Sequence, residues 1–109
     1  MYIFHILGLF PYMNEFEEEC HRVCQQVLKG QYNSFRKDIR DGFFYNTPAQ
    51  GQRRLTEMLG AFRRELETRI PLSRHDTDAQ VLKETIMGEY MQIGRTYGER
   101  ILKKSGLHD

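Results

Sequence analysis

Tryptophan is absent from this chain of 109 residues, proline occurs three times, cysteine twice, and neither sign of charge prevails, sixteen Lys and Arg standing against fifteen Asp and Glu. Each shortage excludes something. Without tryptophan the core has to be built from Leu, Ile, Met, Phe and Tyr, and the five methionines add side chains that adapt to irregular surfaces. A formal charge of +1 excludes the strongly basic footprint of a dedicated nucleic-acid binder. Cys20 and Cys24 are too few and too close to make a disulfide framework. Four apart on a helix, they lie along one side, and with no secretory leader reduced, cytoplasmic thiols are expected. Apolar residues dominate Met1 to Met13, but that stretch has no basic start and gives way to Pro11 and the acidic Glu15–Glu19 run. It is too short to span a membrane and has the wrong flanks for a signal peptide. Ser34, Ser73 and Ser105 lack a nucleophile-elbow context, and no glycine loop of phosphate-binding form occurs, so no enzyme and no cofactor are expected.

What is present is helical punctuation. Thr47-Pro48-Ala49-Gln50 and Thr77-Asp78-Ala79-Gln80 each set a hydroxyl three residues before a Gln that can reach back to it, which reads as a capping box opening a helix. Asn14 followed by Glu17 is a third candidate, and Phe16, Cys20, Val23, Cys24 and Val27 then recur at helical spacing until Gly30, predicting a first helix over 15–29. Tyr32, Phe35, Ile39 and Phe43 continue the period into a second helix ending near Phe44. Pro48 sits where its missing N–H costs nothing, and Leu55, Met58, Leu59, Phe62, Leu66 and Ile70 form the stripe of a third helix that stops at Pro71. A fourth runs from Asp78 to about Lys104, with Lys103 and Lys104 in its last turn and Gly106 beyond. The expected fold is all-α: a four-helix, bundle-like domain over residues 14–109, preceded by an extended arm or strand over 1–13. Met13 is an alternative start, which would make the first twelve residues extra sequence.

The fourth predicted helix has two apolar rows. Leu82, Ile86, Tyr90, Ile93, Tyr97 and Ile101 read as its core stripe, and beside them run Met87, Met91, Gly94, Gly98 and Leu102. Gly costs about 1 kcal/mol relative to Ala inside a helix, so Gly88, Gly94 and Gly98 need a packing reason, and a kink near Gly94 is one alternative to an unbroken helix. The second row is either the far side of a central helix wrapped by neighbours or a homodimer or partner interface. Met87, Met91, Gly94, Gly98 and Leu102 are the candidate contact residues.

Cys20-His21-x-x-Cys24 invites a zinc or copper reading, but both thiols share the stripe of Phe16 and Val27 while His21 points away. They read as core cysteines, and no metal site is assigned. His5, His75 and His108 belong to no ligand pattern. Arg36, Lys37, Arg40, Arg53, Arg54 and Arg64 are candidate contacts for an anionic partner, with Tyr32 or Tyr45 to stack bases. The simpler reading is a solvated face with Arg53–Glu57 and Arg63–Glu67 ion pairs. Asp38 and Asp41 are neighbouring carboxylates without a metal partner.

The segment endings Phe43-Phe44-Tyr45-Asn46-Thr47-Pro48, the helix Glu57-Met58-Leu59-Gly60-Ala61-Phe62-Arg63-Arg64-Glu65-Leu66 and the close Tyr97-Gly98-Glu99-Arg100-Ile101 carry a family likeness. From Phe43 to Ile101 the chain resembles the helical domain shared by the C-terminal part of the cyanobacterial clock protein KaiA and the N-terminal domain of the stress phosphatase RsbU. The resemblance implies a four-helix domain that dimerises and recruits or activates a regulatory protein. The expected function is therefore a non-enzymatic, dimeric, cytoplasmic protein-interaction or regulatory module with no membrane role. A nucleic-acid-binding regulator using the basic residues of the second and third helices is the alternative. A small-ligand or metal-binding bundle using Cys20, Cys24 and a histidine is the third reading.

Overall fold

The structure, a computed structural model, describes residues 11–72 and 76–107, with side chains from Asn14 onward in the first segment. Three helices account for these residues: α1 (Pro11–Asp41), α2 (Pro48–Arg69) and α3 (Thr77–Lys104). Among the described residues there is no strand and no helix long and apolar enough to cross a membrane. Each helix packs on both of the others. Matching contacts ascend together along α1 and α3, from Gln25 with Tyr90 to Tyr32 with Tyr97, so these two run parallel and α2 returns between them.

The first and second predicted helices are one. Gly30 does not divide them, because the buried stripe keeps its phase across it: Val23, Val27 and Leu28 on one side, Phe35 and Ile39 on the other. Burying a large apolar side chain is worth about 1.5–3 kcal/mol, more than the roughly 1 kcal/mol that one helical Gly costs. The helix begins at Pro11, so Asn14 lies inside it and caps nothing, while the expected arm keeps only residues 1–10, which lie outside the described residues. At the other end Gly42 adopts φ 69° and its N–H donates to the Asp38 carbonyl, a left-handed cap that stops α1 at Asp41. Phe43 and Phe44 therefore fall in the turn, 82% and 77% exposed, rather than on the helix's apolar stripe.

Thr47 caps α2 as expected: the Gln50 N–H donates to Thr47 Oγ1 at 3.2 Å, and Gln50 Oε1 reaches one residue further back to accept from the Asn46 N–H. The cap of α3 is Asp76 instead of Thr77, its Oδ1 accepting from the Ala79 N–H at 3.3 Å. A carboxylate suits the positive end of a helix better than a hydroxyl does. Ser105, Gly106 and Leu107 close α3 in a Schellman motif, with Leu107 N–H donating to the Leu102 carbonyl and Gly106 N–H to that of Lys103.

The core has two parts. Cys20, Val23, Cys24, Val27, Phe62, Leu66, Leu82, Ile86 and Met87 pack at one end, and Phe35, Ile39, Leu55, Met58, Leu59, Leu102 and Leu107 at the other. Met91 touches both. Lys83, buried between α2 and α3, donates to Glu67 Oε2 at 3.0 Å and to the Ile70 carbonyl at 2.8 Å, so its ammonium closes the C-terminus of α2.

Candidate protein-interaction groove

The Met/Gly row of α3 faces inward. Gly94 and Gly98 lie where an added methyl would strike Leu28 and Leu59 in the first case and Leu55 in the second, and Met87 and Leu102 are fully buried. The row expected to meet another chain is filled by α1 and α2 of the same chain, because the absence of side chains at 94 and 98 lets leucines lie directly on the α3 backbone. Met91 is half-buried. An unbroken α3 runs through Gly94.

The other row turns outward in its second half. Leu82 and Ile86 are buried, but Ile93 is 43% and Tyr97 48% exposed. With Gln25, Leu28, Lys29 and Tyr32 of α1 and Tyr90 and Gly94 of α3 they line a predominantly apolar groove of about 400 Å³ along the α1/α3 seam. Tyr32 and Tyr97 meet edge to face at 6.2 Å, and each carries an arginine over its ring, Arg36 at 5.8 Å and Arg100 at 5.1 Å. Tyrosine at such a face keeps its hydroxyl in water while its ring covers apolar surface. That is the physical reason Tyr97, rather than Gly98, is on the outside.

At one end of the seam the groove passes, through Gln25, into a depression lined by Asn14, Glu17, Glu18, His21 and Arg22. Here His21 Nδ1 and Tyr90 Oη are hydrogen-bonded at 2.9 Å, Gln25 Nε2 donates to the same oxygen at 3.2 Å, and His21 Nε2 lies 3.7 Å from Glu17. Burial raises the pKa of the Glu17 carboxyl, with His21 working against the shift and Glu18 and Glu89 adding to it. Burial likewise raises that of the Tyr90 phenol. His21 thus joins α1 to α3 through Tyr90.

At the other end the seam continues into a depression lined by Arg36, Ile39, Arg40, Ile101 and Ser105.

Cys20 and Cys24 are free thiols buried in the core. Desolvation pushes them up to about 11 and about 12, so both are protonated and poor nucleophiles or ligands at neutral pH. Among the described residues no group of three or more His, Cys, Asp and Glu converges as a metal site would.

The six basic candidates separate. Arg36, Lys37 and Arg40 line one depression with Asn33, whereas Arg53 lies 3.9 Å from Glu57 on α2 and Arg64 is exposed there. Arg54 is not available to an anion: it is buried, its Nε donates to Asp38 at 2.8 Å, and its guanidinium lies over the Phe35 ring. The stacking candidate Tyr32 is occupied by Tyr97, and Tyr45 packs against the second core cluster. The expected Arg63–Glu67 pair is replaced by Arg63 with Glu84 and Glu67 with Lys83, both between helices.

Gln25, Leu28 and Lys29 were not singled out as site residues by sequence, and Tyr32 was named only as a base-stacking candidate. The available signal was the pair of tyrosines, Tyr90 and Tyr97, on a stripe whose interior would have had to satisfy two hydroxyls. No family model, no curated protein and no solved structure matches this chain.

Proposed function

We propose that this domain is a non-enzymatic protein-interaction module and that the α1/α3 groove is its contact surface. The observation that carries the reading is the exposure of Ile93 and Tyr97 beside Tyr32 and Leu28, in a groove with almost no polar lining. An aromatic-rich apolar strip rimmed by arginines has the composition of an interface centre, where Tyr and Arg are enriched. Because it follows the seam of two parallel helices, it offers an α-helical ligand an apolar face to lie along. Regulation by recruitment follows the same reading, since a groove of this kind binds without changing a bond. The KaiA/RsbU-type resemblance points the same way.

The test is a binding comparison on the intact chain. Ile93→Asp with Tyr97→Asp should keep wild-type helicity, because both side chains are exposed, and abolish groove-dependent protein binding. Gln52→Glu, at an exposed position on α2, serves as the surface control and should bind as wild type. Equal binding by all three proteins would remove the groove from the interaction.

A further inference from the structure

We infer that the occupant of the groove is a second copy of this chain, docked antiparallel about a two-fold axis that crosses the seam near Lys29 and Gly94. This rests on the groove being a protein contact, as proposed above. The added observation is a charge gradient that α1 and α3 share. Because the two helices run parallel, their acidic beginnings and basic ends coincide. Glu17 and Glu18 of α1 meet Glu89 of α3 at one end, close enough that Glu18 and Glu89 both act on the Glu17 carboxyl. At the other end Arg36 and Arg40 of α1 line a depression with Ile39 and Ile101, and Arg100 of α3 lies over Tyr97, the ring that meets Tyr32 beneath Arg36. Most opposing charges at these ends are engaged within the chain: Arg22 pairs with Glu19, Asp38 with Arg54, and Asp41 lies 3.7 Å from Arg40; Glu99, beside Arg100 on α3, is the exception.

Such a face is complementary to itself reversed and to nothing else of its own kind. A parallel copy would set acid on acid and base on base, whereas a two-fold axis through the middle of the groove sets each acidic end on a basic one and lays the tyrosines of the two grooves against each other, the two exposed Lys29 side chains near the axis keeping their ammoniums at the rim on apolar stems. The same rotation carries the exposed Phe43 and Phe44, which follow the basic end, toward the acidic start of α1 in the other copy. From Glu17 to Arg40 the seam is about 35 Å long, and two helices make it about 20 Å wide, a face of roughly 700 Å². That is close to the ~800 Å² per subunit of an ordinary stable interface.

A charge-swap experiment on the full chain tests the assignment by solution mass across a concentration series. The first variant, Arg36→Glu with Arg40→Glu and Arg100→Glu, makes both ends acidic; the second, Glu18→Lys with Glu89→Lys, makes both basic. All five side chains are at the surface or half-buried there, so helicity measured by circular dichroism should match wild type. Wild type should dimerise, more weakly as salt rises. Each variant alone should lose at least about tenfold in self-association, and an equimolar mixture of the two should recover the dimer mass. A wild type that stays monomeric while Tyr97-dependent binding of another protein persists overturns the second-copy assignment and leaves the interaction reading standing. A monomer with no groove-dependent binding removes both. A dimer indifferent to the swaps, or a mixture that does not recover, also overturns the antiparallel arrangement.

Discussion

At Gly98 a missing methyl group decides which face of α3 is inside. A Cβ there would run into Leu55, and one at Gly94 would come within 2.9 Å of Leu28 and 3.3 Å of Leu59, so these leucines pack on bare backbone. Gly94→Leu together with Gly98→Leu should therefore destabilise the fold by about 3 kcal/mol or more, since overpacking costs roughly 1–3 kcal/mol per site and each site strikes different leucines, so the costs add. Thermal melting checks this, and a doubly substituted protein that melts like wild type would show the row to be outside the core. The glycines were legible as a sign of close approach. Which chain approaches was not, because a glycine row is equally compatible with a neighbour in the same chain or in another, and the leucines that fill it lie 35 to 66 residues away. By contrast the cysteines were legible as core: their stripe with Val27 is local, and a local period fixes a helix face by itself.

Helix boundaries followed at Thr47 and Gly106, where the cap is written in neighbouring residues; they failed at Asn14, which an earlier start left inside α1, at Thr77, whose neighbour Asp76 took the cap, and at Gly30, where burial decides. Thr47 with Pro48, and Gly106 past Lys104, act within a few residues of the ends they mark. Gly30 carries the same chemical signal as Gly106 but sits between two buried stretches that remain in phase, so α1 continues through it. Nothing lies within 4 Å of a Cβ built at Gly30. Its only contribution is then the flexibility that glycine adds to the unfolded chain. Gly30→Ala should stabilise the protein by about 0.5–1 kcal/mol and raise the melting temperature by a few degrees. If α1 were really two helices with a left-handed cap at 30, the same substitution would lower it.

The described residues form an elongated body, 49 × 26 × 18 Å, with two apolar clusters among them where a rounder protein of this size would have one. What prevents them from behaving as two small folding units is continuity of the helices. α1 contributes Cys20, Val23, Cys24 and Val27 to the first and Phe35 and Ile39 to the second; α2 and α3 likewise cross both, and Met91 touches each. Opening one cluster therefore removes the packing that holds the same helices at the other, and an isolated helix of these lengths has little stability of its own. Phe35→Ala deletes a fully buried ring at one end, at a cost of about 3–5 kcal/mol. Amide hydrogen exchange in this variant should accelerate about equally from 20 to 28, at the far end of α1, and around Phe35 and Ile39, because both report one global opening. Protection that falls only around Phe35 would mean the clusters open separately. The groove joining His21, Tyr90, Tyr32 and Tyr97 spans both ends, so a single cooperative unit would also keep its acidic and basic ends in fixed register, as docking on a second copy requires.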